Sequence, residues 1–153
     1  TDIAAEKVKK VVDEFKARAV KPDEIYGVEA DIFAPCALGA VVNDRTLAQF
    51  KVKVIAGGAN NVLAEPRHGD ELEKRGILYA PDYVINAGGL MNVNGELEGW
   101  SAERAHRKAG EIYDTMLKVF KLAKEEGLPT YRAADRLAER RIAAVGKLKR
   151  TWV

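Results

Sequence analysis

The chain has 153 residues, 47% hydrophobic and 31% charged, which is ordinary globular composition and long enough for one domain with its own core. Its 25 basic and 23 acidic residues are interspersed and leave a net charge of +2, which excludes the electrostatic footprint of a nucleic-acid or anionic-membrane binder. The one cysteine, Cys36, excludes an internal disulfide and suits a reducing cytoplasm; the two histidines leave little for a metal site.

In chain order, short β-like runs alternate with helical patterns, which predicts an α/β fold with a parallel sheet flanked by helices. A helix is expected over 3–17, capped by Asp2, with Val8, Val11, Val12 and Phe15 on one stripe. Short apolar segments at Ala19 and Val20, Ile32 and Phe33, 54–56, Leu78 and Tyr79, and Val84 and Ile85 read as buried parallel strands. Helices are expected near 44–50 and 65–75, the second opened by Pro66 and stopped by Gly76. From 102 to 126 and from 130 to 149 the apolar residues keep helical spacing, giving two long amphipathic C-terminal helices separated by Gly127 and Pro129. Residues 1–100 are thus the sheet-forming part and 101–153 the helical part of one domain. His68 and His106 fall on charge-rich helical segments and read as surface residues; Trp100 and Trp152 suit packing at a boundary or in ordinary apolar contacts.

Chemistry concentrates in loops that follow the expected strands, where an open parallel sheet receives its ligands. The first runs from 34 to 40, with Pro35, Cys36 and small residues that let a ligand approach the backbone. In the second, 56–61, Gly57 and Gly58 stand beside Ala59, Asn60 and Asn61; the third carries Asn86 before Gly88 and Gly89. Asparagine amides donate and accept at once, which suits a nicotinamide carboxamide or a substrate carboxylate without a charge beside a transferred hydride. Cys36 has no histidine nearby to activate it and reads as a small, partly buried thiol beside a cofactor.

The runs ADIFAPCALGA (30–40), VIAGGANN (54–61) and YAPDYVINAGG (79–89), with EIYD (111–114) and AADRLA (133–138), resemble the leucine, phenylalanine and glutamate dehydrogenase superfamily, its leucine dehydrogenase branch most of all. The resemblance implies an incomplete Rossmann-type doubly wound sheet binding NAD. Asp2 would accept hydrogen bonds from the adenosine ribose. Ala37 and Leu38 would lie against the adenosine half of the cofactor, with Cys36 beside the cofactor. Ala59 and Asn60 would also bind the cofactor, and Asn86 would fix the nicotinamide carboxamide. Asn61 would help hold an amino-acid substrate, and Leu90 and Val93 would line its side-chain pocket. That aliphatic pair suits a branched-chain amino acid, with phenylalanine as the alternative, and would leave the carboxylate of glutamate unpaired.

No residue here matches the family's first strand, glycine-rich phosphate loop or N-terminal substrate domain with its catalytic residues. The implied intact enzyme is a cytoplasmic homo-oligomer that interconverts leucine, valine or isoleucine with the 2-oxo acid and ammonia. This chain would supply its cofactor-binding part and, alone, would be inactive and aggregation-prone. The remaining alternative is a non-catalytic Rossmann-type binding module left by truncation.

Overall fold

The computed structural model describes residues 1–148. Three two-residue strands, β1 (Ile32–Phe33), β2 (Val54–Ile55) and β3 (Leu78–Tyr79), form a parallel sheet in the order β1-β2-β3. Cα partners run Ile32 to Val54 to Leu78 and Phe33 to Ile55 to Tyr79. Parallel bridges from Glu29 to Lys51 and from Val42 to Leu63 extend the pairing beyond the named strands.

The sheet is buried on one face. Ile55 and Tyr79 point into the core, whereas Ile32 is 58% and Leu78 39% exposed. The expected strands with both faces buried are therefore half right: alternation gives each strand one inward residue, and no described element covers the other row. Val42, Leu47, Ile55, Val62, Leu72 and Ile77 fill the space beneath, joined at one side by an aromatic cluster of Tyr26, Phe33 and Phe50 with ring centroids 5.2–6.0 Å apart.

The helices are α1 (Ala5–Phe15), α2 (Asp44–Leu47), α3 (Pro66–Lys74), α4 (Asp82–Ile85), α5 (Gly88–Leu97), α6 (Ala102–Glu126) and α7 (Thr130–Leu148). Asp2 does not cap α1. Its Oδ1 accepts the Ala4 N–H at 2.8 Å and closes a turn, and Ala4 takes the cap position. The apolar stripe of α1 contributes no buried residue, and Phe15 is 74% exposed. Ala19 and Val20 form no strand. Val84 and Ile85 belong to α4, because Pro81 turns the chain and Asp82 starts a helix whose first turn is closed by Ile85 N–H to Pro81 C=O at 3.0 Å. Short apolar runs do not separate strand from helix by periodicity, and the Pro-Asp pair was the deciding signal. Lys149 and Trp152 lie outside the described residues.

Pro66 occupies the first turn of α3, and Gly76 follows its end at φ +69°, where a side chain would be strained. Ser101 caps α6 by accepting the Arg104 N–H at 3.2 Å. A second core joins α6 to α7 through Val119, Leu122, Ala123, Ala133 and Ala134, with Val84 packed against it. Thr130 Oγ1 donates to the Tyr79 carbonyl at 2.6 Å, and Tyr83 Oη donates to Asp135 at 2.6 Å. These bonds seat α7 against β3 and α4. Trp100 is half-buried against Gly95, with the Arg104 guanidinium 4.5 Å from its ring centroid.

His68 is a core residue, 1% exposed, contrary to its expected surface position. Its Nδ1 accepts the Glu65 N–H at 3.0 Å, so the imidazole completes the cap of α3, and Nε2 lies 3.3 Å from Asp44 Oδ1. Arg67 donates two 2.7 Å bonds to the same Asp44 carboxylate. The Arg67 guanidinium first, and His68 after it, hold the Asp44 carboxyl down from 3.8 to about 2. A depressed folded-state value favours the fold above the ordinary carboxylate range, and this contribution fades as pH falls from about 4 toward 2. In thermal melts of the full-length protein, Asp44→Asn should therefore flatten the dependence of Tm on pH across that window. An acid limb as steep as that of the unsubstituted protein would assign the effect to other carboxylates.

Candidate functional site

The carboxyl ends of β1 and β2 continue into the loops at 34–40 and 56–61, and that of β3 into the segment 80–87, a third loop that contains the single turn α4. Backbone bonds lock the first two together: Ala59 N–H donates to Pro35 C=O at 2.9 Å and Ala40 N–H to Asn61 C=O at 2.6 Å. Such close approach needs residues without side chains. A Cβ on Gly39 would stand 2.6 Å from the Asn60 carbonyl oxygen, and one on Gly57 would overlap the Pro35 carbonyl. At Gly58 a Cβ would meet only Cys36 Sγ, 4.0 Å away, and at Gly89 nothing within 4 Å. The backbone is thus bare where a ligand could lie against it and tight where the loops brace each other.

The second and third loops meet through their amides. Asn86 Nδ2 donates to Asn60 Oδ1 at 2.5 Å, with the carbonyls of Gly58 and Ala59 3.4 Å away. Among the described residues, Asn86 Oδ1 and Asn60 Nδ2 have no hydrogen-bond partner, and neither is a buried orphan. The pair presents one acceptor and one donor, the complement of a primary carboxamide. Asn61 sits beside it in the left-handed region, at φ 53°.

The structure therefore brings together Ala59, which is buried, with Asn60, Asn61 and Asn86. Cys36, Ala37 and Leu38 sit at the exposed rim of the first loop, with Leu38 82% exposed. The expected partial burial of Cys36 is corrected: its thiol is exposed, while the neighbouring Pro35 ring is buried. Leu90 and Val93 lie one turn apart on α5, 75% and 54% exposed, and Leu97 continues their stripe. Asp2 is apart from the loops, in a groove along α1 shared with Lys7, Val8, Val11 and Val12.

The sequence reading missed Asp82 and Tyr79. Asp82 is 8% exposed, and its carboxylate accepts from the Val62 N–H and the Tyr79 hydroxyl. Burial, first of all, pushes the Tyr79 phenol above its ordinary value, so it stays protonated as a donor. An acidic residue inside the apolar stretch 77–85 was the available signal, since such a group is buried only with partners. Among the described residues no helix is long and apolar enough to cross a membrane, and no group of three or more His, Cys, Asp or Glu could hold a metal ion.

Known proteins resemble this chain in sequence and fold. The chain is 58% identical over 153 residues to a leucine dehydrogenase from Bacillus cereus, covering all of this chain and 42% of that protein. It is 52% identical over 141 residues to an L-tryptophan dehydrogenase from Nostoc punctiforme, covering 92% of this chain and 39% of that protein. A phenylalanine dehydrogenase from Bacillus thermotolerans is 48% identical over 152 residues, with 96% and 40% covered. A crystal structure of L-tryptophan dehydrogenase from Nostoc punctiforme superposes with a TM-score of 0.92 at 48% identity, over 95% of this chain and 45% of that one. Glutamate dehydrogenase from Thermus thermophilus shares the fold, at a TM-score of 0.71 and 22% identity, over 95% of this chain and 37% of that one. The chain thus spans about two fifths of the length of these curated relatives. The sequence model of the glutamate/leucine/phenylalanine/valine dehydrogenases matches residues 2–150, and the chain belongs to that family.

Proposed function

We propose that this chain is the NAD-binding part of an amino-acid dehydrogenase that carries out reversible oxidative deamination of a branched-chain amino acid, leucine foremost. The observation that carries this reading is the Asn60–Asn86 amide pair at the carboxyl edge of a parallel sheet, in a chain 58% identical to a leucine dehydrogenase. The sheet is read as part of a Rossmann-type doubly wound domain, whose ligands lie at that edge. NAD, when bound, supplies the acceptor for the hydride of the amino-acid Cα. Asn86, with Ala59 and Asn60 beside it, orients the carboxamide, and the bare backbone at Gly58 admits the ring. Cys36, Ala37 and Leu38 border the adenosine half, and Asp2 accepts from its ribose. Asn61 helps hold the substrate. Leu90 and Val93 present an uncharged wall to its side chain, leaving a second carboxylate without a partner. The working enzyme is read as a cytoplasmic homo-oligomer with a separate substrate domain that brings the catalytic residues.

The test is NAD reduction by the full-length protein carrying this chain, with leucine, valine, phenylalanine and glutamate compared. Leucine should give the highest kcat/KM and glutamate the lowest. A preference for glutamate would overturn the pocket assignment, and no NAD reduction with any of them would overturn the activity. A second reading, an aromatic substrate, is favoured by the bulk and openness of the Leu90 face and by the phenylalanine and tryptophan dehydrogenase relatives. The ranking of leucine against phenylalanine in the unsubstituted protein separates the two, and Leu90→Ala tests the wall itself. Losing three carbons from the wall should shift the phenylalanine-to-valine ratio of kcat/KM by about 1–3 kcal/mol, and an unchanged ratio would remove Leu90 from the pocket.

A further inference from the structure

Between the second and third loops lies a buried acid with no role in the reading above. Asp82 has no basic side chain within salt-bridge distance among the described residues; its partners are two neutral donors. Val62 N–H reaches Oδ2 at 3.2 Å and the Tyr79 hydroxyl reaches Oδ1 at 3.1 Å, while the Asp82 N–H donates back to that hydroxyl at 3.3 Å. Desolvating a carboxylate is costly, and it is tolerated here because two buried donors meet it; an apolar residue at this position would strand the Val62 N–H and the Tyr79 hydroxyl. The arrangement matters for what it holds. Val62 directly follows Asn60 and Asn61, and the Asp82 carbonyl accepts the Asn86 N–H at 2.9 Å. One residue thus grips the second loop with its side chain and the Asn86 backbone with its main chain. Asn61, in the left-handed conformation that asparagine tolerates, is held on one flank by Ala40 and on the other by this bond to Val62.

We propose that Asp82 is the positioning residue of this site, setting the placement of Asn60 against Asn86 that a carboxamide-bearing ligand meets. The proposal rests on the reading of that amide pair as the nicotinamide end of the cradle. Asp82→Leu removes the acceptor at similar bulk, whereas Asp82→Asn keeps a carbonyl for Val62 and turns an N–H toward the Tyr79 oxygen. In the full-length protein, NADH should bind about tenfold more weakly to Asp82→Leu, and within about threefold of the unsubstituted protein to Asp82→Asn, which restores the buried donor's partner. Hydrogen exchange of the segment 59–64 should accelerate in Asp82→Leu and stay slow in Asp82→Asn.

Unchanged NADH affinity and exchange in Asp82→Leu would overturn the proposal. So would an Asp82→Asn variant as weak as Asp82→Leu, because charge rather than acceptor placement would then matter. Should Asp82→Leu fail to fold, Tyr79→Phe removes one donor without touching the acid: NADH affinity lowered about threefold supports the proposal, and unchanged affinity overturns it. An unsubstituted protein that binds no NADH rejects the cofactor reading instead, and the exchange measurements alone then decide whether Asp82 holds the loops.

Discussion

Asn86→Ala in the full-length protein is expected to lower kcat/KM for NAD by roughly 10–100-fold, and by the same factor whichever amino acid is oxidised. Two terms contribute. Removing the amide takes away the acceptor offered to the carboxamide, and it frees Asn60 from the 2.5 Å bond that orients it. Neither group touches the substrate side chain in the proposed arrangement, so the loss is uniform across substrates. Steady-state kinetics at saturating leucine, valine and phenylalanine give the measurement. A penalty confined to one of them would place Asn86 in the substrate pocket rather than at the cofactor.

Gly57→Ala should be destabilising by about 3 kcal/mol and should weaken NADH binding as well. The added Cβ would overlap the backbone of Pro35, and neither partner is the end of a flexible side chain. The loops would have to separate, breaking the Ala59 to Pro35 bond that holds them side by side. Gly58→Ala is the control: its Cβ meets only Cys36 Sγ at 4.0 Å, so stability should change little while a ligand lying against that backbone is obstructed. Denaturant melts and NADH titration on both variants separate the two effects. A Gly57→Ala protein as stable as Gly58→Ala would mean that the loops yield more readily than their packing suggests.

Much of the layout of the candidate site was legible in the sequence because it resides in a chain-local pattern of strand end, glycine and amide. Asn60 and Asn61 follow β2 by a few residues, and a parallel sheet aligns the ends of its strands, whereas Asn86 follows α4 rather than the strand expected there. Leu90 and Val93 were legible as neighbours because a helix brings residues three apart to one face. Asp82 and His68 were not legible as core residues. His68 stands in a polar stretch and reads as surface, whereas Asp82 stands in an apolar one; in both cases only partners supplied from 20 or more residues away, Val62 for Asp82 and Asp44 for His68, make burial tolerable.

Local sequence determined where helices start and stop, since Pro66, Ser101, Gly76 and Gly127 act through the backbone of their own turn. It also favoured strands at β1, β2 and β3, where short β-branched and aromatic runs lie between turn residues, and parallel pairing made them strands. Tertiary structure decided the rest. Val84 and Ile85, as apolar as any strand in the chain, became helix because Pro81 and Asp82 open a helical turn there, Asp82 ties that turn to Tyr79 and Val62, and Val84 packs against the α6–α7 core. The outward row of Ile32 and Leu78, which composition alone assigned to the interior, lies open because burial depends on what packs against a residue and not on the residue itself.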